Sequence, residues 1–455
     1  MPIERLTAED EMMLWPDRIW PQDIGALAVL DGTSLLDPEG RFLIEAVRQA
    51  VEARLHLVPR FRQLLCVPRR RLGGPLWIDA PGFDISDHVQ TAPLPAPGGE
   101  AQLLSAVEQL RRRRLDWSRP LWEMWFLPGL PGQRVGMFVR MHHAMADGMA
   151  AMAAMAAFLG SGPSPADEPP RPWAAAPAPT PDELFADNLG QHLHRLGRGL
   201  RALAHPVTST RRVGAGWPAM HELLAQRPLP ATSLDRLVGP DRRLALIRGR
   251  LDQVQQTARA HGATVNDVLL AITAGGLREL LGRRSELGTG TVVRIYVPVS
   301  LPREPQAQAS GNLIGQMVVP LPVGATDPER MLRQIAADTA RRKAESRPSL
   351  GHLPRRGLAG RAFLKLVSRQ KVNVTSADIP GPGEPLYFAG AQLLEVFPLV
   401  QLLGTVSLAV GAMSYAGQFN IMVVADRDAY PDLDVFVAGV QDELRAFTPR
   451  HDAAV

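Results

Sequence analysis

Residues 141–150 read MHHAMADGMA, and the spacing HHxxxDG inside that stretch carries most of the functional signal in this chain. For a chain of this composition the pattern arises by chance in roughly one case in a thousand. It is preceded by an apolar run, RVGMFVRM at 134–141, and followed by residues rich in Ala and Met. A strand therefore delivers two histidines to a turn, and a helix leaves it. Successive strand residues point to opposite sides, so His142 and His143 diverge and only one of them faces a cleft. We assign that place to His143, with the role of general base: imidazole titrates near neutrality and can accept a proton from an alcohol as its oxygen attacks a carbonyl. Asp147, four positions on, can fold back to fix the backbone or the ring, and Gly148 permits close backbone approach. Two adjacent strand histidines converge poorly on one ion, so no metal is expected. A structural histidine pair with a helix-capping aspartate is the plain alternative. Met145, Met149, Met152 and Met155 make a stripe that reads as adaptable core, and that would also suit an acyl channel. No G-x-S-x-G elbow, Walker loop or HExxH is present, so the serine hydrolase, P-loop and zincin readings lose their usual support.

Outward from the motif, LWEMWFL at 121–127 and RVGMFVRM at 134–141 flank PGLPGQ, which predicts two paired strands. GALAVLD at 25–31 reads as a strand, and a helix is expected from Asp37 to about Leu55. The sharpest change in composition falls at 161–181, where eight of 21 residues are proline, as in a stiff polyproline-like linker. Beyond it, Leu189, Leu193, Leu196, Leu200 and Leu203 line one helix face, with Arg195, Arg198 and Arg201 on other faces. Two readings compete: a helix packed on the second lobe, which we favour because Gly197 and Gly199 weaken it in isolation, or one lying on an anionic lipid surface. Strand 242–248 leads to helix 251–260, and Thr264 with Asp267 resembles a capping box that opens a helix to Leu281. Strands are expected at 291–300 and 371–376, two more joined near Tyr415–Gly417 within 405–426, and a last helix over Leu433–Phe447.

The chain of 455 residues is long for one core, which predicts two lobes. Charged residues at 21% and hydrophobic ones at 45% exclude wholesale disorder. The net charge of +4 is too small for a duplex-binding protein, so no nucleic-acid partner is expected. Cys66 stands alone, which fits a reducing compartment. The opening MPIERLTAEDEM lacks the pattern of a secretory signal, and no run of about 20 apolar residues spans a bilayer.

HHAMADG resembles the signature of coenzyme A-dependent acyltransferases, the superfamily of chloramphenicol acetyltransferase, plant BAHD enzymes and condensation domains. Further segments narrow it: LVPRFRQLL at 57–65, LDWSRPLWEMWFLPGL at 115–130, VNDVLLA at 265–271, GNLIGQMVVPLP at 311–322, IPGP at 379–382, and SYAG with ADRD at 414–428. Together they resemble the bacterial wax ester synthase/diacylglycerol acyltransferase family over the whole chain. The resemblance implies a mixed α/β fold of two chloramphenicol-acetyltransferase-like lobes, each a mixed sheet flanked by helices, with a tunnel between them. Residues 1–160 would form the lobe carrying the motif, 161–182 the linker and 183–455 the second lobe. The activity implied is transfer of a long-chain acyl group from acyl-CoA to a fatty alcohol or diacylglycerol, giving wax ester or triacylglycerol. His143 would be the base, with His142, Asp147 and Gly148 completing the motif. No acyl-enzyme forms and no cofactor is implied beyond the acyl-CoA co-substrate. Pro120, Leu121 and Trp122 match the family's PLW element, and Asn266 and Asp267 its ND element near the site.

Asn266, Thr375 and Ser376 are all candidates to meet the oxyanion of the thioester carbonyl. The location implied is cytoplasmic, on the inner face of the membrane or on lipid droplets. One departure stands out: where the family reads SNVPGP this chain has Ala377, Asp378, Ile379, Pro380, Gly381 and Pro382, an acid in place of an amide. That leaves a natural-product alcohol or amine as an alternative acceptor. A lipid-binding or droplet-coating protein without catalysis is the alternative of another class.

Overall fold

The computed structural model describes residues 3–69, 72–146, 148–163, 172–204, 229–300, 314–344 and 372–447. Asp147, residues 164–171 of the proline-rich stretch and Gly311–Leu313 lie outside the described residues.

The first half of the chain supplies β1 (Glu4–Arg5), α1 (Ala8–Asp17), β2 (Asp23–Asp31), α2 (Ile44–Arg54), β3 (Gln63–Cys66), β4 (Leu76–Asp79), β5 (Val89–Thr91), α3 (Glu100–Arg112), β6 (Trp122–Leu130), β7 (Arg134–His142), α4 (Gly148–Ala156), β8 (Leu159–Gly160) and α5 (Pro181–Ala204). The second supplies β9 (Arg242–Arg250), α6 (Leu251–Ala260), α7 (Val265–Arg283), β10 (Val293–Ser300), β11 (Ile314–Leu321), α8 (Pro328–Ala344), β12 (Val372–Pro380), β13 (Tyr387–Phe388), β14 (Ala391–Leu399), β15 (Leu408–Tyr415), β16 (Gln418–Asp426) and α9 (Leu433–Phe447).

Among the described residues the strands form a seven-stranded sheet, β5-β6-β7-β2-β14-β13-β8, a six-stranded sheet, β11-β10-β12-β15-β16-β9, and a small β1-β4-β3 sheet. Both large sheets are mixed: β5 is parallel to β6, and β12 is parallel to β10 and β15, while the other pairs are antiparallel. The β6–β7 hairpin forms as its apolar runs predict, Trp122 opposite Met141 and Leu130 opposite Arg134. In β15–β16, Ala416 and Gly417 take φ values of 46° and 81°. Two left-handed residues in a two-residue turn match the twist of the paired strands. The Thr264–Asp267 capping box opens α7 as expected.

Two strands cross the expected lobe boundary, β13, which pairs with β8, and β14. Strand β14 runs antiparallel to β2, Leu393 opposite Leu30 and Leu399 opposite Gly25, so the second half of the chain completes the first sheet. The two sheets also share an apolar cluster in which Leu27, Phe138 and Phe397 meet Leu246, Ala409 and Val424. The second-lobe core lies on the other side of its sheet, where Ile295, Val374 and Ala412 pack with helix residues such as Leu270, Ile335 and Phe436.

Two expectations fail. No helix starts at Asp37; its carboxylate bonds the Arg41 amide at 2.8 Å and closes a turn through Gly40, whose φ is 79°. Gly40 turns the chain back so that Leu36 bridges Phe42, and α2 begins only at Ile44. The described part of the α5 leucine stripe is not packed on the second lobe: Leu189, Leu193 and Leu196 are 49%, 60% and 64% exposed, and Phe185 beside them is 52% exposed. Periodicity shows that a face is apolar but not whether anything covers it.

Candidate active site

His142 ends β7, and its buried ring touches three neighbours. Its Nδ1 accepts the Ala144 amide at 3.0 Å, which leaves the proton on Nε2, 3.4 Å from Asp17 Oδ1. Trp117 meets the ring edge-on at 5.6 Å. Burial pushes the Asp17 carboxyl up, but His142, the Gln22 amide and Arg114 together hold it below its ordinary value. The His143 amide donates to the Gln22 carbonyl at 2.7 Å. Both rings are buried, at 2% and 6% exposure. The turn between β7 and α4 is thus anchored to the segment after α1, through Asp17 and Gln22.

Behind the histidines, Arg140 is 1% exposed. It bonds Glu123 at 2.8 and 3.1 Å, the Arg113 carbonyl at 2.7 Å and Asp23 at 3.4 Å. A buried guanidinium needs such partners, and these cross-link β2, β6 and β7 beneath the site. The PLW residues belong to the same support. Leu121 offers its carbonyl to the His142 amide at 2.9 Å. The Trp122 indole donates to the Phe61 carbonyl at 2.8 Å. Pro120 is buried, and Leu121 and Trp122 are wholly enclosed, so what they touch is the histidine strand and its core.

Gly148 is the first residue of α4, and a Cβ built on it would meet nothing within 4 Å. Close backbone approach, expected from the sequence, is therefore not its role; it leaves open space beside the turn that carries His143. The methionines are core as expected where described: Met145, Met152 and Met155 join one cluster with Met141. Ile379 of β12 and Met413 and Tyr415 of β15 belong to that cluster too, which brings the carboxyl ends of these second-lobe strands against the first lobe.

At those ends the second sheet opens. The β10–β12 pairing covers only Arg294–Tyr296 and Val372–Thr375, and beyond it each strand keeps its other partner. The Thr375 hydroxyl is engaged with the Tyr296 carbonyl at 3.3 Å. Ser376 is fully buried, its hydroxyl without a partner. Asp267 is also engaged: one oxygen accepts the Thr264 amide at 2.8 Å and hydroxyl at 2.7 Å, the other the Thr339 hydroxyl at 2.7 Å. It ties the start of α7 to α8. Asn266, in the first turn of α7, is half-buried. Asp378, two residues beyond Ser376, is half-buried too; burial pushes its carboxyl up to about 6 against the pull of Lys343 on α8. Gly381 passes so close to β15 that an added Cβ would lie 2.2 Å from the Ser414 carbonyl oxygen, which accounts for the glycine of IPGP.

Sequence reasoning missed Asp17, Gln22, Trp117 and Glu123. Only Arg140 left a signal, as a charge inside an apolar strand next to the histidines. Among the described residues no group of His, Cys, Asp and Glu could hold a metal ion.

Two mixed-sheet lobes and a paired histidine at the end of a first-lobe strand define the chloramphenicol-acetyltransferase-like class of coenzyme A-dependent acyltransferases. The chain belongs to the wax ester synthase/diacylglycerol acyltransferase family: its catalytic-domain model matches residues 6–269 and its C-terminal-domain model residues 310–448. It is 29% identical to the Mycobacterium tuberculosis H37Rv protein named probable diacylglycerol O-acyltransferase tgs1, covering 92% of this chain and 90% of that one. A protein of strain CDC 1551 named for the same activity is 31% identical over 88% of this chain and 86% of its own length. The wax ester synthase/diacylglycerol acyltransferase of Marinobacter aquaeolei VT8 shares the fold with a TM-score of 0.67 at 24% identity, covering 97% of this chain and 98% of that one. The starter condensation domain of rhizomide synthetase, solved with C8-CoA and Leu-SNAC, shares it at 0.62 and 14% identity, covering 98% and 94%. The enzyme is an acyl-CoA-dependent O-acyltransferase.

Proposed function

We propose that the chain moves a long-chain acyl group from acyl-CoA to a fatty alcohol or diacylglycerol, with His143 as general base. The observation that supports the reading is the strand–turn–helix after β7, where the His142 ring lies against the Ala144 amide and Asp17, and open space lies beside Gly148 just past His143. The alcohol gives its proton to the His143 imidazole as its oxygen bonds the thioester carbon. The carbon–sulfur bond then breaks, and the imidazolium returns the proton to the departing thiolate. No acyl-enzyme is needed. The oxyanion is met from the second lobe by the Asn266 amide, because the Thr375 hydroxyl is engaged and the amino end of a 19-residue helix favours negative charge. Gly148 begins the helix after the turn, and Asp267, next to Asn266, ties the start of α7 to α8.

Purified protein with palmitoyl-CoA and hexadecanol or dioleoylglycerol should release free thiol and ester in equal amounts. His143→Ala should lose about 10²–10⁴-fold in kcat, and Asn266→Ala about 10²–10³-fold. Turnover by His143→Ala at the wild-type rate would sink the assignment. A natural-product alcohol or amine is the second acceptor class, favoured by the half-buried Asp378 carboxyl, and a panel of acceptors separates the two.

No helix of the described residues is long and apolar enough to cross a membrane. Peripheral association with the cytoplasmic membrane face or a lipid droplet is supported instead by the exposed Phe185, Leu189, Leu193 and Leu196 on α5.

A further inference from the structure

Arg62 is a charged group of the first lobe that the acyl-transfer chemistry does not use. It is 6% exposed, and its Nε is buried without an acceptor. Among the described residues no hydrogen bond or ion pair reaches its other two nitrogens. Arg60, two residues earlier, shows the usual arrangement, bonding Gln63 at 2.9 Å and pairing with Glu4. A buried guanidinium with five N–H donors and no anion carries a desolvation cost that an incoming anion would relieve. Burial lowers its pKa from the ordinary arginine value and Glu52 opposes this; it stays a cation.

What surrounds it is aromatic. Its guanidinium carbon lies 5.0 Å from the Trp173 ring and 5.8 Å from that of Phe83. Trp173 comes from the end of the proline-rich stretch and is 38% exposed, so part of its ring faces solvent. The stretch is held there by the Ala176 amide, which donates to Asp79 at 3.0 Å. From this corner a ladder of rings leads to the histidine strand: Trp173 to Phe83 at 6.4 Å, Phe83 to His88 at 5.1 Å, His88 to Trp122 at 4.6 Å. Trp122 sits opposite Met141, the neighbour of His142. Arg111 is the other guanidinium of the first lobe with an orphaned nitrogen, but it feels Asp23, Arg140 and Arg242 around it and is enclosed where the lobes meet.

A fork of N–H donors suits a phosphate, and an exposed indole suits a planar base. We propose that Arg62 is the phosphate-binding group of a nucleotide subsite, taking a phosphate of the acyl donor's coenzyme A while Trp173 stacks on the adenine. This rests on the acyl-CoA reading of the active site.

Three readouts test it in the full chain. Adenosine 3′,5′-bisphosphate, titrated by calorimetry, should bind the wild type and bind Arg62→Gln and Trp173→Ala about tenfold more weakly, with Arg62→Lys between. The KM for palmitoyl-CoA should rise about tenfold in Arg62→Gln at nearly constant kcat, and the KM for palmitoyl-pantetheine, which lacks the nucleotide, should not move. Equal bisphosphate binding by wild type and both Arg62 variants overturns the proposal. Loss of flotation with phosphatidylglycerol vesicles in Arg62→Gln, with bisphosphate binding intact, overturns it in favour of a lipid headgroup. If Arg62→Gln fails to fold, Trp173→Ala carries the test, because it removes a partly exposed ring. The calorimetry needs no turnover, so a chain inactive on every acceptor still reports on this subsite.

Discussion

A carboxyl on the helix-facing side of β12 is costly to ionise. Asp378 titrates near 6 in the fold against an ordinary value of 3.8, so the folded state holds its proton more tightly than the unfolded chain does. The stability this protonated form contributes is complete below about pH 4 and lost as the pH rises through 6. Asp378→Asn, which restores the amide expected at this place, should match the wild type in thermal stability at pH 4 and exceed it at pH 8, by on the order of 2 kcal/mol. Melting curves at the two pH values check this, and parallel behaviour would count against it. Among single residues the histidine pair was legible in the sequence because its spacing is rare and strand alternation separates the two rings. Asp17 and Gln22, which hold that pair, were not, since a contact across more than a hundred residues leaves no local pattern.

At the scale of elements, α5 raises a question its sequence could not answer. A repeat of leucines at helical spacing looks the same whether a sheet covers it or nothing does, and here Leu193 and Leu196 are exposed. A face of this kind binds a lipid surface in proportion to its apolar area. Leu193→Gln with Leu196→Gln should remove most flotation with anionic vesicles and leave the melting temperature unchanged, because neither side chain is packed. Flotation equal to that of the wild type would assign the face to something else. The β15–β16 hairpin and α9 were read correctly for the opposite reason, since turn chemistry and a buried stripe are local signals. The helix expected from Asp37 failed because a left-handed Gly40 closes a turn there, despite an aspartate in capping position.

The two lobes act as one body. Besides the shared cluster, Glu108 of α3 accepts the Leu244 amide of β9 at 2.9 Å and the Arg427 guanidinium at 2.6 Å. Arg248 of β9 reaches Glu100 of α3 at 2.7 Å and also pairs with Glu395 of β14. Calorimetric unfolding should therefore show one transition, not two. Glu108→Ala, which removes the acceptor of the Leu244 amide and the ion-pair partner of Arg427, should lower stability by about 1–3 kcal/mol without splitting that transition. Two resolved peaks in the wild type would contradict this. None of this coupling could be read from composition, which divides the chain at its prolines, whereas the sheets divide it differently.

Strand β14 gives that division a practical edge. A fragment ending in the proline-rich stretch would leave the β2 backbone from Gly25 to Leu30 without its neighbour, an open seam that invites copies of the same fragment to pair with it. The other fragment holds the one segment shaped to close that seam. Anyone wishing to assemble this enzyme from two separately encoded pieces would find the cut already supplied with its own fastener.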